Sequence, residues 1–176
     1  MRFTALQPDG VWLVELEPAL DDRGFFARTW DTDEFAARGL DPAVVQASVS
    51  SSQRRGTLRG LHYQAEPHAE AKLVRCTAGK VFDVAVDIRD GSATRGHWAG
   101  VELSAENRLA LYIPPGFAHG FQTLVDDTEV LYQMTTRYSP AHARGIRWND
   151  PVAAINWPIS DPILSSRDRG LPLFRH

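Results

Sequence analysis

Short alternations of apolar and polar residues, cut off by Gly, Pro, Asp or Asn, dominate the chain. VWLVELEP (11–18) alternates and stops at Pro18, and DDRGFFARTW (21–30) opens on a turn signal and becomes aromatic. One segment carries a helix signature. In DTDEFAARGL (31–40), Asp31 or Thr32 caps the start, Glu34 lies in the first turn and Gly39 ends it. From Val45 onward come QASVSSSQ, TLRGLHYQ, AKLVRCTAGKVFDVAVDIR, WAGVELSAENRLALYIP, FQTL and EVLYQMTTRYS, runs of strand length between turns. The expectation is an all-β sandwich or barrel with a few short helices. No repeat, linker or low-complexity tract divides it, so one domain is expected over residues 1–176.

In VFDVAVDIR (81–89), Phe82, Val84, Val86 and Ile88 fall on one face of a strand and Asp83, Ala85 and Asp87 on the other. A tight hairpin over Ala78-Gly79 would set Val74 opposite Asp83 and Lys72 opposite Ala85. Lys72 and Asp83 would then be diagonal neighbours. From periodicity alone that pair is a solvated one on an outer face. If the Asp83 face instead lines an interior pocket, the apolar face points outward, and a second copy of the chain is expected to cover it.

Composition narrows the function classes. At 176 residues, 43% hydrophobic and 23% charged, the chain is ordinary for a soluble globular protein. A net charge of -3 argues against a nucleic-acid or membrane-surface role, so an anionic ligand would need a local cluster of arginines and lysines. Cys76 is the single cysteine, which rules out an intrachain disulfide. The N-terminal residues lack a basic segment followed by an apolar run, and no stretch approaches membrane-spanning length. A cytoplasmic location is expected.

Two segments carry candidate chemistry. RGTLRGLHYQ (55–64) places His62 in a strand, where a lone histidine reads as a satisfied core residue. In YIPPGFAHGFQTL (112–124), Pro114, Gly116 and His119 match the P-x-G-x-x-H turn of the second cupin signature. Metal cupins add H-x-H and a downstream glutamate, whereas here Tyr63 and Gln64 follow His62. Further on lies Lys72, which cannot ligate while protonated. Two histidines without the remaining ligands make a poor transition-metal site, and no metal is expected.

Together with DDRGFF (21–26), LRGLHYQ (58–64), AKLVRC (71–76), LSAEN (103–107), LYQ (131–133), YSP (138–140), WNDP (148–151) and LSSRD (164–168), these segments make nearly the whole chain resemble one family. It is the dTDP-4-dehydrorhamnose 3,5-epimerase family of the cupin superfamily. The resemblance implies a jelly-roll homodimer that inverts C3, C5 or both in a nucleotide-linked 4-keto-6-deoxyhexose, without metal or cofactor. It implies His62 as base, Tyr132 as acid, Asp168 as the carboxylate orienting the histidine, and Lys72 facing the developing enolate. Arg59 and His119 would face the sugar diphosphate, Gln46, Ser48 and Tyr138 would contact substrate, and Asp83 would support the site. Arg23 and Phe26 would reach in from the neighbouring subunit.

The chemistry is coherent. A 4-keto group acidifies the C3 and C5 hydrogens, and imidazole, titrating near about 6.5 in general, suits their removal. Inversion needs a proton delivered to the opposite face, which a phenol can supply. A cation at the enolate oxygen is worth roughly 3 kcal/mol, and an arginine can grip the diphosphate with two hydrogen bonds. In a straight strand Arg59 and His62 would face opposite sides, so both roles require a bulge or bend at Gly60. Bland readings compete: Tyr132 as a packing residue, and Asp168 as the cap of a C-terminal turn. His68, His97, His142 and His176 match no motif position and are expected to face solvent.

The chain departs from the family at recognition positions. Gln46-Ala47-Ser48-Val49-Ser50 stands where the family reads Q-D/E-N-H-S, while Arg28 and Ala143 replace glutamates. The base, the hexose and the number of inverted carbons are therefore left open. The other classes are a metal-dependent cupin enzyme and a non-catalytic sugar-nucleotide binder, the latter having no need for an acid–base pair.

Overall fold

A computed structural model describes residues 1–174, where the chain forms thirteen strands and two short helices. The first strands are β1 (Arg2–Ala5), β2 (Trp12–Glu15), β3 (Ala19–Asp21) and β4 (Gly24–Phe26), followed by helix α1 (Thr32–Ala36). Then come β5 (Gln46–Ser52), β6 (Leu58–Gln64), β7 (Lys72–Ala78), β8 (Lys80–Asp87) and β9 (Trp98–Ser104). The last are β10 (Ala110–Ile113), β11 (Phe117–Thr123), β12 (Thr128–Met134), β13 (Ala143–Gly145) and helix α2 (Ser166–Arg169). Asp31 caps α1, its carboxylate accepting from the backbone N–H groups of Asp33 and Glu34.

The strands make a six-stranded sheet, β1-β2-β10-β7-β12-β5, a five-stranded sheet, β13-β6-β11-β8-β9, and an exposed β3–β4 hairpin. This is the cupin-type jelly roll, nearly all β and antiparallel. Inward residues of both sheets share one core: Val74, Cys76, Leu111 and Val130 meet Val81, Ala85, Phe117 and Phe121. Phe35 of α1 closes the outer face of the larger sheet over Val14, Leu73 and Tyr112. Among the described residues no helix is long and apolar enough to cross a membrane.

Two expectations are corrected. First, β7 and β8 are not a hairpin. β7 pairs with β10 and β12, while β8 pairs with β9 and β11. At Gly79 (φ +73°) the chain crosses between sheets, so close to Thr128 that an added Cβ would lie 2.5 Å from its hydroxyl oxygen. Val74 therefore opposes Leu111 and Tyr132, and Lys72 and Asp83 belong to different sheets. Second, the apolar outer face of β8 needs no second copy. Val84 and Val86 are fully buried beneath the chain's own later residues Ile146, Ala153, Ile155, Trp157 and Phe174. The alternation of β8 holds: Asp83 and Asp87 are buried on the inner side.

Candidate active site

His62 on β6 and His119 on β11 are direct cross-strand partners, so both rings point between the sheets. The next pair is Arg59–Phe121, leaving Gly60 and Leu61 on β6 against Gly120 alone on β11. That extra residue is a β-bulge, and it turns Arg59 to the same side as His62, as their joint roles require. Only glycine fits there: Gly60 has φ +132°, and a Cβ would stand 2.6 Å from Gly120 Cα and 2.9 Å from the His119 carbonyl oxygen.

His62 Nε2 lies 2.6 Å from Asp168 Oδ1. The carboxylate arrives because residue 163 joins the edge of β6, with Leu58 N–H donating to the Ile163 carbonyl at 2.9 Å. Ser165 caps α2 through the Asp168 N–H at 3.0 Å, which frees the Asp168 carboxylate from the capping role. Asp168 is 5% exposed. Burial pushes its carboxyl upward, but the hydrogen bond and charge of His62, the Gly60 N–H and Ser165 outweigh that and hold it below the usual carboxylate range. Behind the second histidine, fully buried Asp83 meets His119 Nε2 at 2.8 Å.

The opposite wall comes from the larger sheet. Tyr132 on β12 stands edge-on to His119, ring centroids 6.0 Å apart, with its hydroxyl 3.0 Å from Ser50 Oγ on β5. Burial raises the pKa of this phenol well above its ordinary range, and the Asp83 charge adds to the effect. Ser50 and Arg59 oppose it. Lys72 Nζ pairs with Glu70 Oε1 at 3.0 Å, and Gln64 donates to the other Glu70 oxygen at 3.0 Å. Arg59 is anchored at the rim by the Ser52 hydroxyl and the Ser51 carbonyl.

These groups enclose a cavity of about 520 Å³. His62, Asp168, Lys72, Tyr132, Arg59 and His119 all line it, while Asp83 sits behind the wall. Other expected contacts lie apart from it. Gln46 Oε1 accepts from the Tyr138 N–H, and Ser48 is exposed on the cavity side of β5. Tyr138 borders a side cavity of about 110 Å³ that shares His62, Lys72 and Arg167 with the main one. Arg23 and Phe26 sit on the exposed β3–β4 hairpin, away from this chain's cavity, with Arg23 paired to Asp21.

Sequence reasoning missed Ser50, Glu70 and Arg167. Two of them carried a usable signal, since Ser50 follows Ser48 at the two-residue spacing of one strand face and Arg167 adjoins Asp168. The solvent-facing reading of two histidines is corrected: His68 and His142 are half-buried and stacked at 4.3 Å, with His142 Nδ1 2.8 Å from Ser139 Oγ. His97 is exposed, and His176 lies outside the described residues. Among the described residues no three His, Cys, Asp or Glu side chains gather as a metal cluster would require.

A cupin-type jelly roll whose cavity sets an aspartate-bound imidazole against a half-buried phenol defines the class of sugar epimerases, which are isomerases. The sequence profile of dTDP-4-dehydrorhamnose 3,5-epimerase matches residues 5–176, and the chain belongs to that family. It is 46% identical over 173 residues to the dTDP-4-dehydrorhamnose 3,5-epimerase of Sinorhizobium fredii, covering 98% of this chain and 89% of that one. The Bacillus anthracis enzyme, solved with TDP and PPi bound, superposes with a TM-score of 0.94 at 42% identity, covering 98% of each chain. The Legionella pneumophila enzyme, in complex with dTDP-4-keto-L-rhamnose, gives 0.92 at 40% identity, covering 98% of this chain and 92% of that one.

Proposed function

We propose that this epimerase inverts C3 and C5 of dTDP-4-dehydro-6-deoxyglucose to give dTDP-4-dehydro-L-rhamnose, with His62 as base and Tyr132 as acid. The observation that carries the reading is the His62–Asp168 pair on one wall of a single cavity and the Tyr132 hydroxyl on the other. Asp168 accepts the Nε2 proton of His62, leaving Nδ1 to take hydrogen from the carbon beside the ketone. The electron pair passes to the C4 oxygen, where Lys72 supplies positive charge. Tyr132 delivers a proton to the opposite face, so the centre inverts. Arg59, Arg167 and His119 hold the diphosphate, and Tyr138, with Gln46 bracing its backbone, contacts the nucleoside.

A homodimer accompanies this reading. Leu20 and Phe26 on the β3–β4 hairpin are 79% and 74% exposed, and Val49 on edge strand β5 is 56% exposed. A second copy would cover these side chains and receive Arg23 and Phe26 at its own cavity. The same reading places the enzyme in the cytoplasm as one domain over residues 1–176. Light scattering at micromolar concentration is expected to give twice the chain mass, and a monomer would remove the cross-subunit roles.

The deciding experiment is turnover in deuterated water with several nucleotide-linked 4-keto-6-deoxy sugars. Deuterium at both C3 and C5 of the dTDP sugar is expected. Label at one carbon only would make this a single-carbon epimerase, an outcome left open by the altered recognition positions Arg28, Ala47, Ser48 and Ala143. In Tyr132→Phe, deuterium should still enter with retention while inverted product falls by about two orders of magnitude or more. Undiminished inversion would return Tyr132 to a packing role.

A further inference from the structure

The acid on the cavity wall has to be re-protonated after each turnover, and its surroundings limit how. Tyr132 lies against His119 and Phe121 in the interior, so its ring is walled off on the core side. Its hydroxyl meets one hydrogen-bonding side chain, Ser50, at 3.0 Å, and either oxygen can donate. Ser50 itself is half-buried, lines the cavity and belongs to β5, the edge strand of its sheet.

The register supplies the rest of a path. Tyr132 pairs directly with Ser48, which is exposed, and Val130 pairs with Ser50. Ser48, Ser50 and Ser52 therefore share the cavity face of β5 at two-residue spacing. Ser52 is committed to Arg59. Ser50 thus stands between the half-buried phenol and the exposed end of a row of hydroxyls.

We propose that Ser50 is the relay and positioning residue for Tyr132, returning a solvent proton to the phenolate left after each protonation of the sugar. This deepens the assignment of Tyr132 as acid and rests on it. In the step, the Tyr132 O–H bond breaks as a C–H bond forms at the ring carbon, leaving charge on Oη. The Ser50 O–H proton passes to Oη while Ser50 Oγ takes a proton from water. Both side chains are restored, and the proton removed by His62 leaves to solvent, so the cycle balances. Burial makes the phenolate costly, and a hydroxyl in contact shortens its lifetime.

The test measures solvent deuterium exchange, which reports the His62 half, beside formation of inverted sugar, which reports the Tyr132 half. Ser50→Ala is expected to keep exchange within about twofold while inversion falls about tenfold or more. Rates in mixed light and heavy water should bow for the natural enzyme, where several protons move together, and become linear in Ser50→Ala. Ser50→Thr, which restores the hydroxyl, should recover inversion. Wild-type inversion in Ser50→Ala, with Tyr132→Phe defective, would remove Ser50 and leave Tyr132 standing. Wild-type inversion in both would overturn the Tyr132 assignment too. Equal losses of exchange and inversion in Ser50→Ala would reduce Ser50 to packing or substrate binding and end the relay.

Discussion

His62 Nε2 and Asp168 Oδ1 meet at 2.6 Å although 106 positions separate them in the chain. Two local devices make the contact. The bulge at Gly60 aims the imidazole and offers its N–H to the carboxylate, and Ser165 takes over the cap of α2 so that Asp168 is free. The pair therefore depends on strand geometry at one end and helix capping at the other.

Removing the imidazole should separate binding from chemistry. His62→Ala is expected to abolish solvent exchange at the sugar carbons while nucleotide-sugar affinity stays within about tenfold, as read by calorimetric titration. Exchange at the normal rate in that variant would take the base role away from His62.

Chelators should be without effect. His62 and His119 each commit Nε2 to an aspartate, and Lys72 is held by Glu70. Incubation with EDTA is expected to leave turnover unchanged. Loss of activity restored by one divalent ion would revive a metal-dependent cupin mechanism.

Gly60→Ala should damage both fold and catalysis. The new methyl would overlap the Gly120 backbone at 2.6 Å with φ at +132°, a cost of about 3 kcal/mol or more. Thermal unfolding should drop by about 10 °C, and the folded fraction should turn over slowly because Arg59 and His62 no longer share a side. An unchanged melting temperature would mean that β6 and β11 can separate at the bulge.

Acid should find two weak points. Asp87 is fully buried; burial pushes its carboxyl up, but bonds from Arg89, Ser92 and Thr94 bring it well below the ordinary range, and Asp168 is also lowered. Both folded values lie below the unfolded value of about 3.9. Their stabilisation is therefore fully present above that value and is lost as pH falls through the folded ones. Urea midpoints should show no decline from these two groups between about pH 8 and 5, then fall below about pH 4. Asp87→Asn should lower stability at neutral pH by about 2 kcal/mol or more and flatten the acid slope. An acid slope as steep as the natural enzyme's would assign it to other carboxylates.

Much of this architecture was legible in the sequence because it is local. Alternation in VFDVAVDIR gave the two faces of β8, Asp31 gave the start of α1, and the odd spacing of Arg59 and His62 required the bulge at Gly60. What was misread is non-local. Ala78-Gly79 has the chemistry of a tight hairpin, yet at this glycine the chain changes sheets, and nothing within a few residues distinguishes the two outcomes. The cover over Val84 and Val86 comes from residues 146–174, which carry no strand-like alternation pointing to that partner. Ser50 stayed hidden because its partner Tyr132 is 82 positions away.

The late residues have two tasks, roofing the outer face of the smaller sheet and delivering Asp168 to His62. A nascent chain that has emerged from the ribosome only through β13 has neither. Its sheet is greasy on the outside, and its histidine lacks the carboxylate that orients it. Catalytic competence thus arrives only once residues 146–174 have been made, together with burial of the apolar outer face of that sheet. A message cut short would then yield a sticky, inactive product for quality control to remove, and no partly working enzyme would be left to act on nucleotide sugars.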